Sequence, residues 1–196
     1  MFRSFQGEGP YTGEDAVFIR LGGCNLDCGF CDTDHGVHKK MIISDILKAV
    51  NAIAERGAKI NFVVLTGGEP LLQPIEYLCK ELLDDGYRIQ VETNGTLFRK
   101  LDPAVKIVCS PKAGARIDKR MLARADAFKF IISETYPGYQ TIPELGQSDH
   151  KATIYVQPMD QGCEKKNKAN LTRTLDICLK GEYKLSLQMH KLVGAK

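Results

Sequence analysis

The chain has 196 residues, 43% of them apolar, which suffices for one domain with a buried core and a small-molecule site. The net charge of +3 is mild, and lysine and arginine are spread along the chain apart from a short run at Lys165, Lys166 and Lys168. This composition argues against nucleic-acid binding. We find no secretory signal pattern and no apolar segment of about 18 residues, so we expect a cytoplasmic protein with no membrane span.

Apolar runs of strand length alternate with helical patterns along the chain. Residues 1–15 are polar and glycine-rich and are predicted to form a loop. The predicted strands are 16–21, 61–65, 88–92, 107–110, 128–132, 153–156 and 183–187. The predicted helices run from the capping pair Ser44 and Asp45 to Gly57, from Pro74 to Gly86, over 119–124, and over 170–179 before Gly181. This alternation predicts an α/β fold in a single domain over 1–196: a parallel sheet with right-handed crossovers, curled into a complete or partial barrel with flanking helices.

Six polar or glycine-rich motifs follow the C-terminal ends of these strands. That end of a parallel barrel carries the ligand-binding loops, so segments distant in sequence are expected to converge on one mouth. Some of the glycines would be needed simply to leave a strand tightly, but six motifs at equivalent places indicate a site. The motifs are 22–24, 66–70, 93–95, 110–112, 157–158 and 188–191.

Three closely spaced thiols, Cys24, Cys28 and Cys31, follow the first predicted strand. Their spacing is typical of a metal or cluster ligand set rather than of disulfides, and seven cysteines, an odd number, fit a reducing compartment. A zinc site completed by His35 or His38 is one interpretation. The other is a [4Fe–4S] cluster with one iron open to a small molecule, which is the arrangement that S-adenosylmethionine (SAM) chemistry requires.

Several residues near these motifs have two interpretations each. Arg20 interrupts an apolar strand, so it either lies along the strand end or presents a fixed cation to an anionic ligand. Glu69 either accepts a hydrogen bond from the SAM ammonium or caps the next helix. Lys112 either binds the ribose or carboxylate of SAM or is a solvated loop lysine, and Phe30 either packs over the adenine or provides ordinary apolar cover. His190 is either structural or part of the site.

Taken together, these motifs resemble a known family. Cys24-x3-Cys28-x2-Cys31 with the Gly-Gly-Glu-Pro sequence at 67–70 is similar to the radical-SAM superfamily. Within that superfamily, four further segments resemble the 7-carboxy-7-deazaguanine synthase family, and the likeness covers nearly the whole chain. These segments are Ser-Phe-Gln-Gly-Glu-Gly at 4–9, Cys-Asp-Thr at 31–33, Ser-Pro-Lys at 110–112 and Leu-Gln-Met-His-Lys at 187–191.

The resemblance implies a radical-SAM lyase whose fold is a partial (incomplete) TIM-like barrel of parallel strands with flanking helices. Its substrate would be 6-carboxy-5,6,7,8-tetrahydropterin, which is ring-contracted to 7-carboxy-7-deazaguanine with loss of ammonia, a step towards queuosine and other 7-deazapurines. The implied cofactors are a [4Fe–4S] cluster, SAM used catalytically, and Mg²⁺. The implied partners are an external one-electron donor of the flavodoxin or ferredoxin type and a second copy of the chain in a homodimer.

The resemblance also implies a role for each matching residue. Cys24, Cys28 and Cys31 would hold the cluster, and Thr33 would ligate Mg²⁺, which takes hard oxygen ligands and often only one or two from protein. The SAM-binding residues would be Phe30, Asp32, Gly68, Glu69, Ser110, Lys112 and Gln157. The substrate-binding residues would be Phe5, Gln6, Gly7, Glu8, Arg20, Thr66 and His190.

Two alternative functions stay open, and the chain departs from the family's usual pattern in two places. A glycyl-radical-activating enzyme shares the cysteine spacing but would act on a protein partner, and a zinc-stabilised binding module would use His35. The family usually has several more residues before Gln6, so either the start is truncated or the edge strand is short. The connection from Asp34 to Ile42 is compact. Lys196 resembles the family's terminus, and we hypothesise that its carboxylate reaches the substrate.

Overall fold

The computed structural model describes residues 1–34, 36, 38–55 and 60–195. The strands are β1 Phe2–Phe5, β2 Asp15–Leu21, β3 Phe62–Gly67, β4 Arg88–Thr93, β5 Lys106–Cys109, β6 Ala127–Ile132, β7 Thr153–Pro158 and β8 Lys184–Leu185. The α-helices are α1 Ile43–Ala54, α2 Glu76–Asp84, α3 Lys119–Arg124, α4 Glu164–Lys180 and α5 Met189–Leu192. Short 3₁₀ turns cover Gly9–Tyr11, Pro70–Leu72 and Gln147–Asp149. None of these helices is both long and apolar enough to cross a membrane.

The eight strands form one sheet in the order in which they occur along the chain. Strands β2 to β8 are all parallel, whereas β1 pairs antiparallel with β2, with Phe2 opposite Phe18. Within the described part of the chain the sheet is open, because β1 and β8 each pair with only one neighbouring strand. The expected partial barrel of parallel strands is therefore confirmed.

The core explains why the chain forms a parallel sheet. Four consecutive residues of β3, Phe62 to Leu65, are buried, as expected for a strand that is covered on both faces. Helices α1 and α2 contribute buried residues at helical spacing, including Val50 and Ala54 on α1 and Leu78 and Leu82 on α2. The strands are thereby fixed, and their C-terminal ends are left to carry polar loops.

The first and last segments differ from the sequence prediction. Residues 1–15 were expected to be a loop, but 2–5 form the short edge strand β1, in which Phe2 stacks on Phe18 with ring centroids 5.2 Å apart. The strand expected over 183–187 is only two residues long, and a helical turn, α5, follows it. A short edge strand with few unpaired backbone groups limits pairing with other chains.

Three helices also begin elsewhere than predicted, and α2 is one of them, beginning at Glu76 rather than Pro74. Ser44 and Asp45 lie inside the first turn of α1, whose N-cap is Ile42 without a side-chain cap, so the capping prediction was wrong. The predicted end at Gly57 lies outside the described residues. Helix α4 begins at Glu164, six residues before the predicted start, because its first turns are polar and lysine-rich and carry no apolar periodicity.

Candidate active site

Two adjoining cavities open at the C-terminal ends of the parallel strands. The cysteine cavity, lined by Cys24, Cys28 and Cys31, has a volume of about 1020 Å³ including its open mouth. The N-terminal cavity, lined by Phe5, Gln6 and Gly7, has a volume of about 820 Å³ on the same basis. The residues that line both cavities are Glu8, Asp32, Thr33, Thr66, Glu92 and Gln188.

The loop that carries the cysteines is fixed to the sheet by close backbone contacts. The Glu69 N–H donates to Gly23 O at 2.9 Å, and the Gly68 N–H donates to Leu21 O at 3.0 Å. A Cβ atom on Gly68 would lie 1.9 Å from Gly23 O, so only glycine fits at this crossing. Asn25 accepts from Asn94 Nδ2 at 3.0 Å, which joins the loop to the end of β4.

The three thiols lie together on the cysteine cavity. All three are free and face the same cavity. Among the described residues, no group of three or more His, Cys, Asp or Glu side chains is arranged to hold a single metal ion. A [4Fe–4S] cube keeps its thiolates farther apart than one tetrahedral ion does, so this donor set fits the cluster better than zinc. His38 does not line the cysteine cavity but packs against Gly22, and His35 lies outside the described residues.

Most residues predicted to bind SAM share the cysteine cavity. Gln157 and Ser110 are buried there, and Lys112 Nζ donates to Ser110 O at 2.6 Å and to Ser110 Oγ at 2.8 Å. Burial lowers the pKa of Lys112, and the nearby Lys129 charge lowers it further. Phe30 packs edge-on against Tyr136 and Tyr139, so its ring forms part of an aromatic wall. The predicted residues on this cavity are Phe30, Asp32, Gly68, Ser110, Lys112 and Gln157.

Glu69 is the exception, because it does not line either cavity. Its side chain is fully buried and accepts hydrogen bonds from Leu71 N at 2.9 Å, Thr93 Oγ1 at 2.7 Å and Asn94 N at 2.7 Å. Burial raises the pKa of Glu69, and these hydrogen bonds oppose the rise. Of the two interpretations given above, the structure therefore supports the cap: Glu69 caps the 3₁₀ turn that follows it and ties that turn to β4.

The residues predicted to bind substrate share the second cavity. Gln6 is buried, and His190 packs against Gly7 so closely that a Cβ there would lie 2.1 Å from His190 Nδ1. The Arg20 guanidinium lies over the Phe2 ring, 5.3 Å from its centroid, and faces the same space. All seven predicted residues line this cavity: Phe5, Gln6, Gly7, Glu8, Arg20, Thr66 and His190.

A buried ion pair lies at the boundary between the cavities. Lys129 Nζ donates to Glu8 Oε2, and Gln188 Nε2 donates to Glu8 Oε1 at 2.8 Å. Burial opposes both charges, but the attraction between them prevails, so the pKa of Glu8 is lowered and that of Lys129 is raised, the latter with help from Glu92. Glu8 is therefore a fixed, ionised acceptor.

Glu92 collects three donors at the same boundary. Its Oε1 accepts from Gln6 Nε2 at 2.9 Å and Gln90 Nε2 at 3.0 Å, and its Oε2 accepts from Thr66 Oγ1 at 3.1 Å. These bonds fix the side chains of Gln6 and Thr66 towards the N-terminal cavity. A rigid set of polar groups of this kind can read the edge of a planar heterocycle.

Sequence reasoning missed several lining residues, among them Glu92, Lys129 and Asp160. Lys129 could have been found, because a single lysine between two phenylalanines in an apolar strand is rarely buried without a partner. Glu92 could have been found in a similar way, because it is a charged residue at the end of a predicted strand, directly before the 93–95 motif. Asp160 carried none, since it follows its strand in an ordinary polar loop.

Comparisons with known proteins agree with this geometry. Residues 18–124 match the family model described as the radical SAM superfamily, which is more than half of the chain. The 7-carboxy-7-deazaguanine synthase of Rickettsia prowazekii is 45% identical, over 99% of this chain and 86% of that protein. The same enzyme of Bacteroides thetaiotaomicron is 37% identical, over 100% of this chain and 96% of that protein. The chain belongs to the 7-carboxy-7-deazaguanine synthase family.

A solved structure of QueE from Escherichia coli has a TM-score of 0.77 to this chain at 25% identity, over 97% of this chain and 92% of that one. A structure of TYW1 with a TM-score of 0.60 and 17% identity shares the fold. Membership of the 7-carboxy-7-deazaguanine synthase family makes the chain a radical-SAM lyase that uses a [4Fe–4S] cluster, SAM and Mg²⁺ and requires a reductant. The two alternatives, a glycyl-radical-activating enzyme and a zinc module, are thereby set aside.

Proposed function

We propose that this chain converts 6-carboxy-5,6,7,8-tetrahydropterin to 7-carboxy-7-deazaguanine with loss of ammonia, within one domain over 1–196. The observation that carries the proposal is the pair of adjoining cavities: the three cysteines line one, and the seven residues expected to bind the pterin line the other. Because six residues line both cavities, a substrate in one lies beside a cofactor in the other.

The chain's residues would divide the work as follows. Cys24, Cys28 and Cys31 hold the cluster, and the other residues named above on the cysteine cavity surround SAM. When bound, the reduced cluster and SAM supply the hydrogen-abstracting radical chemistry of the superfamily, and Mg²⁺ supplies a Lewis acid. Thr33, on the shared wall, offers a hard hydroxyl ligand for Mg²⁺, and few protein ligands are needed because Mg²⁺ keeps water and substrate oxygens.

The N-terminal cavity recognises the substrate through its fixed polar groups. Glu8, kept ionised by Lys129, accepts hydrogen bonds from the pterin's N–H groups, and Gln6, fixed by Glu92, donates and accepts at the amide edge. The Arg20 guanidinium pairs with the substrate carboxylate. The Phe30 ring, which lines the cysteine cavity and is supported by the rings of Tyr136 and Tyr139, keeps water and stray hydrogen donors from the reacting atoms.

The decisive experiment is anaerobic incubation of the reduced protein with SAM, Mg²⁺ and carboxytetrahydropterin, followed by mass analysis. We expect 7-carboxy-7-deazaguanine, with SAM regenerated rather than consumed. Cys28→Ala should form no product and assemble no cluster, because one of the three cluster ligands is lost. Wild-type protein that carries its cluster yet leaves the pterin unchanged would refute the proposed function.

We also infer a one-electron donor of the flavodoxin or ferredoxin type and a homodimer, as the family resemblance implies. Supporting the homodimer, Leu171, Leu175 and Leu179 form an exposed stripe at four-residue spacing on α4, and Leu179 is 86% exposed. Light scattering should give the mass of a dimer for the wild type. Leu179→Glu, which places a charge on this stripe, should shift that mass towards the monomer if the stripe lies in the interface.

A further inference from the structure

The C-terminal helix α5 lies against the N-terminal cavity, and the residue before it reaches both cavities. Gln188, just before it, lines the two of them, and His190 and Lys191 line the N-terminal cavity. The helix is attached to the N-terminal loop, because the Met189 N–H donates to Gly7 O at 3.0 Å and the His190 ring packs on Gly7. The position of α5 is therefore tied to the loop expected to hold the pterin.

Lys191 extends that attachment to the cysteine cavity. Its Nζ donates to Asp32 Oδ2 and to Asp160 Oδ2, each at 2.7 Å. Asp32 directly follows Cys31 and lines both cavities, whereas Asp160 lies beyond β7 and lines the cysteine cavity. One ammonium thus joins the cysteine loop, the end of β7 and the C-terminal helix.

The two carboxylates are not equally free to move. Asp160 is fixed, because its Oδ1 also accepts from Asn167 Nδ2 at 2.7 Å and from the Gly162 N–H at 3.0 Å. Asp32 is more exposed, and its other partner is Gln188 Nε2 at 3.3 Å. Without the ammonium the two carboxylates would repel each other, and Asp32 is the one able to turn away.

We propose that Lys191 is a positioning residue that couples the two cavities. Its ammonium holds Asp32 on the SAM side, and the position of that ammonium is set by α5, the helix that packs on the pterin side. This inference rests on the proposed function. Coupling of this kind is reciprocal, so bound pterin should tighten SAM binding by the same factor as bound SAM tightens pterin binding.

The test measures binding rather than turnover. Labelled SAM is equilibrated by dialysis against enzyme with an oxidised cluster, with and without saturating carboxytetrahydropterin and Mg²⁺. For the wild type we expect the pterin to tighten SAM binding by about 5-fold or more. Lys191→Met, which keeps the length of the side chain and removes its charge, should lose most of this tightening. SAM binding without pterin should weaken by a smaller factor, because Asp32 is then free to turn away. Lys191→Arg should restore part of it.

Two further variants separate coupling from a general surface effect. Lys180→Met removes an exposed lysine that pairs with Asp176 on α4, far from the cavities, and should behave as wild type. Asp160→Asn should weaken the tightening, and adding it to Lys191→Met should cause little further loss, because both act through one contact.

Two results would overturn the inference: no tightening in the wild type, or unchanged tightening in Lys191→Met, which includes the case in which SAM binding weakens equally with and without pterin. Product formation by the same wild-type preparation is measured in parallel. Product without coupling refutes only the inference, whereas intact cluster without product refutes the proposed function.

Discussion

Lys129 and Glu8 show how a single buried pair shapes the site. Their side chains are 7% and 14% exposed, and neither charge could be kept there alone. Removing one partner of a buried pair leaves an uncompensated charge, which costs about 3–5 kcal/mol, whereas replacing both by neutral groups is often tolerated. We therefore predict that Lys129→Met lowers the free energy of unfolding by about 3–5 kcal/mol, measured by urea denaturation under anaerobic conditions.

The matched control is the double variant Glu8→Gln/Lys129→Met. It should recover most of the lost stability and yet bind the pterin poorly, because Glu8 no longer offers a charged acceptor. If the double variant were as unstable as Lys129→Met, the loss would come from packing of the lysine stem rather than from the unpaired carboxylate.

Cysteine reactivity is a second prediction at the scale of single residues. Burial raises the pKa of Cys79 and of Cys109 to about 12, so their thiols stay protonated and inert at mildly alkaline pH. Iodoacetamide should label the exposed Cys163 in the holoenzyme. After the cluster is removed with a chelator, peptide mass mapping should show new labels on Cys24, Cys28 and Cys31 but not on Cys79 or Cys109. Protection of the three loop cysteines after chelation would contradict their assignment as ligands.

Individual site residues could be predicted from sequence only where a motif carried them. The three cysteines and the Gln-Gly-Glu segment at 6–8 belong to such motifs, and the structure brings them to two adjoining cavities. Lys129 and Asp160 act through partners that are far away along the chain. A sequence read residue by residue does not show that Lys129 meets Glu8, 121 positions earlier.

At the scale of elements, α4 fixes two of the rim loops. Asn170 on this helix is almost fully buried. Its Oδ1 accepts from Ser133 Oγ at 3.0 Å and from the Glu134 N–H at 2.9 Å, while its Nδ2 donates to Met159 O at 2.8 Å and to Gln161 Oε1 at 3.0 Å. The ends of β6 and β7 are thus connected through one side-chain amide.

We predict that Asn170→Asp destabilises the fold by about 1–3 kcal/mol, since it removes two donors and sets a carboxylate against two acceptors. It should also weaken SAM binding several-fold, because Met159 lines the cysteine cavity. Urea denaturation and equilibrium dialysis measure the two effects. Thr172→Ala, an exposed change on the same helix, should alter stability by less than about 0.5 kcal/mol. Equal effects from both variants would argue against the connection.

Elements were predictable where a hydrophobic pattern was strong. The buried strands β2, β3, β4 and β6 and the helix α3 lie within two residues of their predicted bounds. The elements missed, β1 and α5, are four residues long and too short to show a period, and they form because other parts of the chain pack on them rather than through their own pattern. Such tertiary effects override local propensity.

At the scale of the whole molecule, sequential order of the strands brings all the rim loops to one edge. Alternation of strands and helices predicted this, because right-handed crossovers between parallel strands leave few other arrangements. The openness of the sheet was an implication of the family resemblance, since no single segment specifies whether the first and last strands meet. How the cysteine loop attaches to the sheet could not be foreseen either. The attachment depends on the backbone at Gly68 crossing the backbone at Gly23, and these two positions are distant in the sequence.

That crossing gives a prediction about the assembled molecule. A Cβ at position 68 would meet Gly23 O at 1.9 Å and Cys24 Cβ at 3.1 Å, so Gly68→Ala must push the cysteine loop away from the sheet. We expect purified Gly68→Ala to contain much less iron and labile sulfide per chain than the wild type while the sheet stays folded by circular dichroism. Gly36→Ala is the matched control, because its Cβ would make only an ordinary 3.6 Å contact with Asp34 Oδ1. Full cluster content in Gly68→Ala would show that the loop can hold its cysteines without support from the sheet.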